Sequence, residues 1–182
     1  MATFYTQKIT SGDKTQVTFT YNDYRSMTLT NNHASSAVTV DLYVTSQLGS
    51  DITDTGTNVN SGAGTGYSAG TSSQAIVVDG TAATSDVFLN EQVWKSDGNL
   101  FGTCTTFTSG TAITFGAGLV RFMANDDDLY TGTRYYFLNN VKIPNGASLK
   151  LSADEFNFDN NNFNLYIDSD SATGNIDIIT RY

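Results

Sequence analysis

An all-β fold of antiparallel sheets, a sandwich with a smaller β module inside it, is predicted by three features of the chain. Apolar side chains recur two residues apart with polar residues between them, which places them on one face of a sheet. Thr, Tyr, Phe, Val and Ile fill these patterned stretches, while Asn, Asp, Gly and Ser fill the gaps, as expected of short strands joined by polar turns. Residues that favour helices are scarce: of 18 acidic residues only Glu91 and Glu155 are glutamate, and charged residues make up 15% of the chain. At 182 residues the chain can bury a sizeable core without disulfide staples, as one domain or two small ones.

Val17, Phe19 and Tyr21 alternate with Thr18 and Thr20 in a first strand, and Met27 and Leu29 alternate with Thr28 and Thr30 in a second, until Asn31 and Asn32 break the pattern. The cleanest strand follows, with Val38, Val40, Leu42 and Val44 on one face and Thr39, Asp41 and Tyr43 on the other. Such one-sided patterning belongs to a sheet packed on one face. From Gly49 to Ser73 the large apolar residues are Ile52, Val59 and Tyr67, and a long surface loop is expected.

A second set of strands begins at Ile76, Val77 and Val78 and continues through Val87, Phe88 and Leu89 to Val93 and Trp94. Ser96, Asp97, Gly98 and Asn99 predict a hairpin, because Asp-Gly accepts the positive φ such turns require. Leu100 to Phe107 then reads as a strand kinked at Gly102, Gly110 opens the next hairpin, and Ala112 to Phe115 returns before Leu119, Phe122 and Met123. Four or five short strands in about 55 residues favour a small closed barrel, since closure removes exposed edges.

In the last quarter Tyr136, Leu138, Val141 and Ile143 lead into the turn Pro144, Asn145 and Gly146, then Leu149 and Leu151. The alternation continues at Phe156 and Phe158, at Phe163, Leu165 and Ile167, and at Ile176 and Ile178. The strand ending at Val44, Thr45 and Ser46 continues into Tyr135 to Leu138 as one hairpin whose loop has grown into a module. The predicted organisation is therefore a sandwich formed by residues 1–74 and 131–182, with residues 75–130 inserted.

A net charge of −9 and a pI near 4.2 oppose a nucleic-acid partner, because the five Lys and four Arg are scattered rather than clustered. Cys104 stands alone between Thr103 and Thr105, where a buried structural thiol is expected. Met1 to Thr10 carry no charged and then apolar leader, and no apolar run approaches the ~20 residues needed to cross a bilayer, so neither an export signal nor a membrane partner is expected.

Catalytic readings fare poorly. His33 is the only histidine, so every nucleophile-His arrangement must use it, yet it lies in an Asn, Asn, His, Ala, Ser, Ser loop. One His and one Cys do not make a closed zinc site. Asp154 and Glu155 are paired carboxylates, but neighbours on a strand point to opposite faces. Residues 125–128, residues 159–162, and Asp168 with Asp170 supply oxygen ligands suited to calcium without the ordered spacing of a calcium loop, and read as solvated turns. Gly62, Gly64, Gly66 and Gly70 lack phosphate-loop spacing. No catalytic, cofactor-binding or metal-binding residue is assigned, and no enzymatic activity is expected.

Three segments carry a resemblance: Leu29, Thr30, Asn31 and Asn32 through Val44; Asn140, Val141, Lys142, Ile143, Pro144, Asn145 and Gly146 through Leu151; and Ile176, Asp177, Ile178 and Ile179 through Tyr182. Together they resemble small immunoglobulin-like β-sandwich virion proteins of tailed phages, marine cyanophage myoviruses in particular. Val93 to Gly118, ending in residues 125–130, resembles a module that recurs in such structural proteins. The resemblance implies an immunoglobulin-like or jelly-roll-type sandwich with a small barrel-like insertion. It also implies a non-enzymatic virion building block, whether capsid decoration, neck, collar or tail, assembled with other virion proteins and with copies of itself by particle symmetry. Phe4, Tyr5 and Tyr182 are then candidate anchors at subunit contacts. The alternative is a carbohydrate-binding or host-adhesion module, with Trp94, Tyr130, Tyr135 and Tyr136 as stacking platforms.

Overall fold

The computed structural model of the chain describes residues 4–10, 14–18, 25–62, 64–80, 87–108, 111–171 and 175–182. Among these residues regular structure is all strand, in two compact units: residues 1–45 with 134–182, and residues 46–133. In chain order the strands are β1 (Phe4–Ile9), β2 (Thr15–Val17), β3 (Ser26–Asn31), β4 (Val38–Ser46), β5 (Ile52–Val59), β6 (Gly66–Tyr67), β7 (Gln74–Gly80) and β8 (Gln92–Trp94). They continue with β9 (Leu100–Thr108), β10 (Ala112–Phe115), β11 (Met123–Ala124), β12 (Asp128–Gly132), β13 (Arg134–Ile143), β14 (Ser148–Ser152), β15 (Phe163–Ser169) and β16 (Ile176–Arg181).

The first unit contains two four-stranded sheets, ordered β1-β16-β3-β14 and β13-β4-β15-β2. Their inward faces are the alternating residues of the sequence: Met27 and Leu29, Val38, Val40 and Leu42, Leu165 and Ile167, and Ile176 and Ile178 are all buried in one core. Strands β4 and β13 pair antiparallel from Val38↔Ile143 to Thr45↔Arg134, the hairpin expected from the sequence, and the second unit is its loop. The ladder slips between Tyr136 and Leu138 and between Leu138 and Val141, with Asn140 at a φ of 56°. That irregularity explains why the apolar spacing steps by three from Leu138 to Val141: the inserted residue returns the following side chains to the inner face.

Asn31 ties the sequence segments together. Although it ends a strand pattern, it is fully buried, and its Nδ2 donates to the carbonyls of Ser36 (3.0 Å) and Ile143 (2.9 Å). Its Oδ1 accepts from the His33 amide at 2.8 Å. Its backbone bonds the other hairpin, from Asn31 N to Ala147 O (3.0 Å) and from Gly146 N to Asn31 O (3.1 Å).

The second unit is a closed barrel in the order β10-β7-β5-β12-β8-β9, with β9 and β10 paired to complete the circuit. Its core is Val59, Ile76, Val78, Phe88, Val93, Phe101, Cys104, Ile113, Phe115, Leu119, Met123 and Leu129. The Ser96–Asn99 hairpin forms as expected, with Gly98 at a φ of 79° and Lys95 N bonded to Asn99 O at 2.9 Å.

Three expectations differ from the structure. Residues 49–73 are not a long surface loop, since β5 is a barrel strand paired with both β7 and β12. Only one side of β5 needs apolar groups, and Val59 with the buried hydroxyl residue Thr57 supplies it, so the Thr- and Asn-rich composition hid a strand. The remainder is strapped down: a Cβ on Gly118, whose φ is +79°, would stand 2.1 Å from the Gly70 carbonyl oxygen, and Gly70 N donates to Leu119 O at 2.9 Å. The unit boundaries accordingly fall at 45/46 and 133/134 rather than at 74/75 and 130/131. Phe156 and Phe158 lie in the connection between β14 and β15 rather than in a strand, while Phe19, Tyr21 and Gly110 lie outside the described residues.

Candidate functional site

The connection between β14 and β15 folds around one carboxylate. Asp159 accepts from the Asn161 amide (2.9 Å) and side chain (3.0 Å) and from Asn162 Nδ2 (2.7 Å), while its carbonyl accepts from the amides of Asn162 and Phe163, both at 3.0 Å. An Asx-type turn of this kind is what an Asp-Asn-Asn-Asn stretch favours. It fixes Phe158 on its entry side and Phe163 on its exit side.

These two rings are shared by two concavities of the sandwich unit. One, of about 250 Å³, is lined by Val44, Tyr135, Phe137, Asn157, Phe158 and Phe163 and is almost wholly apolar. Its walls are ring contacts: Tyr135 meets Phe163 edge-on at 5.9 Å, and Phe137 packs with Phe156 at 5.0 Å and with Phe158 at 6.0 Å. The other, of about 260 Å³, is lined by Gln16, Val17, Thr18, Phe158, Asn160, Phe163, Asn164 and Leu165. Among the described residues, no ionisable side chain other than the Tyr135 phenol lines either concavity.

The residues singled out in the sequence are dispersed. Tyr135 is 48% exposed at the apolar concavity, but Tyr136 packs on Tyr43 at 5.1 Å. Trp94 is buried, opposite in β8 to Val93 and outside the barrel core cluster. Tyr130 is half-buried in β12, and its burial, then the Asp54 and Asp128 charges, push its phenol up. Phe4 is 61% exposed, whereas Tyr182 is half-buried beside Thr180. Phe158, Phe163, Asn160 and Asn164 were missed because the Phe-Asn-Phe-Asp-Asn-Asn-Asn-Phe-Asn run was divided between a strand pattern and an acidic cluster. The interleaving of rings with carboxamides was the signal available.

The acidic and basic candidates are engaged in local structure. His33 Nδ1 accepts from the amides of Ser35 (3.2 Å) and Ser36 (3.0 Å). The Glu155 carboxylate accepts from Ser152 N (2.8 Å) and Oγ (2.7 Å), the amide first and the hydroxyl second holding it below the usual carboxylate range. Asp127 bonds Lys95 Nζ and the Ala124 amide, each at 2.8 Å, and Asp170 accepts from Thr39 N at 2.8 Å. The Cys104 thiol is buried and donates to Thr106 O at 3.2 Å. Compared with protein-family models, with curated proteins and with solved structures, the chain matches none.

Proposed function

We propose that the chain is a non-enzymatic structural component of a tailed-phage particle, a capsid decoration, neck, collar or tail subunit that works by protein-protein assembly. The observation that carries the reading is the junction at Asn31. The β3–β4 and β13–β14 segments on which the phage resemblance rests meet there through side-chain and backbone bonds. Residues distant in sequence are joined there in one unit, which supports taking the segments together. The third segment, β16, pairs with β3 from Ile176↔Asn31 to Arg181↔Ser26, so all three lie in adjoining parts of one unit.

Surface chemistry agrees with assembly. Val77, Val120 and Phe122 on the barrel, and Phe4 and Ile179 on the sandwich, are large apolar side chains 38% to 62% exposed, the kind of group buried at subunit contacts. Quantitative mass spectrometry of purified particles of the phage encoding the chain is expected to find it in many copies, and the isolated protein is expected to cosediment with particles stripped of it. A monomer absent from particles, and unable to bind them, sinks the reading.

A further inference from the structure

We infer that the paired concavities flanking Phe158 and Phe163 form a binding site for a neutral oligosaccharide. A sugar ring presents an apolar C–H face and a rim of hydroxyls that both donate and accept. The two concavities divide in the same way. Tyr135, Phe137, Phe158 and Phe163 supply ring surfaces on one side, and Gln16 and Asn164 supply carboxamides on the other, beside the Thr18 hydroxyl, which also bonds the Tyr5 hydroxyl at 3.1 Å. Carboxamides carry donors and an acceptor together, which matches hydroxyls and neither requires nor repels a charge.

Charge selects among occupants. Among the described residues neither lining holds a Lys, Arg, His, Asp or Glu, and Asp159, at the turn between the two rings, is occupied by that turn. An anionic ligand would meet no counter-charge on a chain of net charge −9, and a cationic one would meet no carboxylate within the walls. An apolar peptide would satisfy the aromatic side alone. Volumes of about 250 and 260 Å³ suit one small ring each, below the ordinary size of a site for a larger ligand. Because the Asp159 turn already holds both rings in place, little ordering cost opposes binding.

The test uses the isotopically labelled full chain, titrated with maltotriose, cellotriose and tri-N-acetylchitotriose to ~10 mM, with trigalacturonate as the charged control. At least one neutral trisaccharide is expected to move the amide resonances of residues 157–165 and Tyr135 saturably. Tyr135→Ala and Asn164→Ala are each expected to weaken that binding about tenfold, with Phe122→Ala on the barrel unchanged. The inference is overturned if no neutral sugar shifts these resonances, if trigalacturonate binds more tightly than all three, or if both site variants, folded by the same spectra, keep full affinity. The result stands apart from whether particles contain the chain.

Discussion

In the sandwich, the two sheets end in the edge strands β1, β14, β13 and β2, the core is mainly Val, Leu and Ile, and the rings form two groups, one around the β14–β15 connection and the buried stack of Tyr43 on Tyr166 outside that core. In the barrel the circuit is closed, and Phe88, Phe101 and Phe115 stand fully buried inside it. Closure removes the barrel's edges, whereas the sandwich keeps edge strands and, at the β14–β15 connection, carries concavities lined by rings. The proposed sugar site thus belongs to the sandwich, while the barrel's interior is filled by its own side chains. The contrast also separates the cores, since each buried cluster draws only on its own unit. Phe115→Ala, which removes a ring packed over Gly102, should cost the barrel about 4 kcal/mol, and Leu42→Ala should cost the sandwich about 3 kcal/mol. Trp94, the sole tryptophan, reports the barrel by fluorescence, and amide exchange at Leu29 and Ile178 reports the sandwich. Each substitution is expected to depress its own signal more. Equal losses in both signals would mean one cooperative block and would end the comparison.

The same contrast governs what the sequence revealed. Sandwich strands alternate because one face meets an aliphatic core, so Val38 to Val44 and Ile176 to Ile178 were readable residue by residue, although Tyr43 on the opposite face of β4 is also buried, against Tyr136 and Tyr166. Even the swollen hairpin from Val44 to Tyr135 was readable, because both arms kept their pattern. Barrel strand β5 was not, since Asp54 and Gly56 interrupt it: Gly56 N bonds Asp54 Oδ1 at 2.8 Å, Gly56 has a φ of 67°, and the ladder to β12 shifts there. A bulge in a Thr-rich strand erases the period on which the reading depends. The candidate site was less visible still. Its rings come from β13, the β14–β15 connection and β15, and of its carboxamides only Asn160 falls in a stretch read as a turn, which the Asp159 hydrogen bonds bear out.

Asn31 tests how far the sandwich depends on one hydrogen-bonded polar side chain buried beside its core. Asn31→Ala removes two donated bonds and one accepted bond at a fully buried position and leaves the Ile143 carbonyl without that donor. The expected loss is about 2–3 kcal/mol, read as a lower denaturant midpoint with an unchanged slope. Asn31→Asp should be no better, because a carboxylate accepts from His33 but does not donate to Ser36 or Ile143. A variant within ~0.5 kcal/mol of wild type would show that the loops are held by backbone pairing alone.

The smallest expected effect belongs to the barrel surface, where Lys95 Nζ lies 2.8 Å from Asp127 Oδ1 with the lysine side chain 36% exposed and the aspartate 13%. The Asp127 hydrogen bond, opposed by burial and followed by the charges of Asp127 and Asp97, raises the lysine above its ordinary value. A raised lysine contributes stability that is complete below its unfolded-state value and lost as pH rises through the folded-state one. Asp127→Asn keeps an acceptor for the Ala124 amide while deleting the charge, so it isolates the ion pair. Solvent screening limits the difference to about 0.5 kcal/mol. Urea melts followed by Trp94 emission should show that difference constant from neutral pH to about pH 10 and fading above it. It should also shrink with added salt. A difference that instead persisted unchanged above the lysine's titration would place the stabilisation in the Ala124 turn and not in the pair, leaving the barrel surface without an electrostatic contribution to set against the hydrogen-bonded interior of the sandwich.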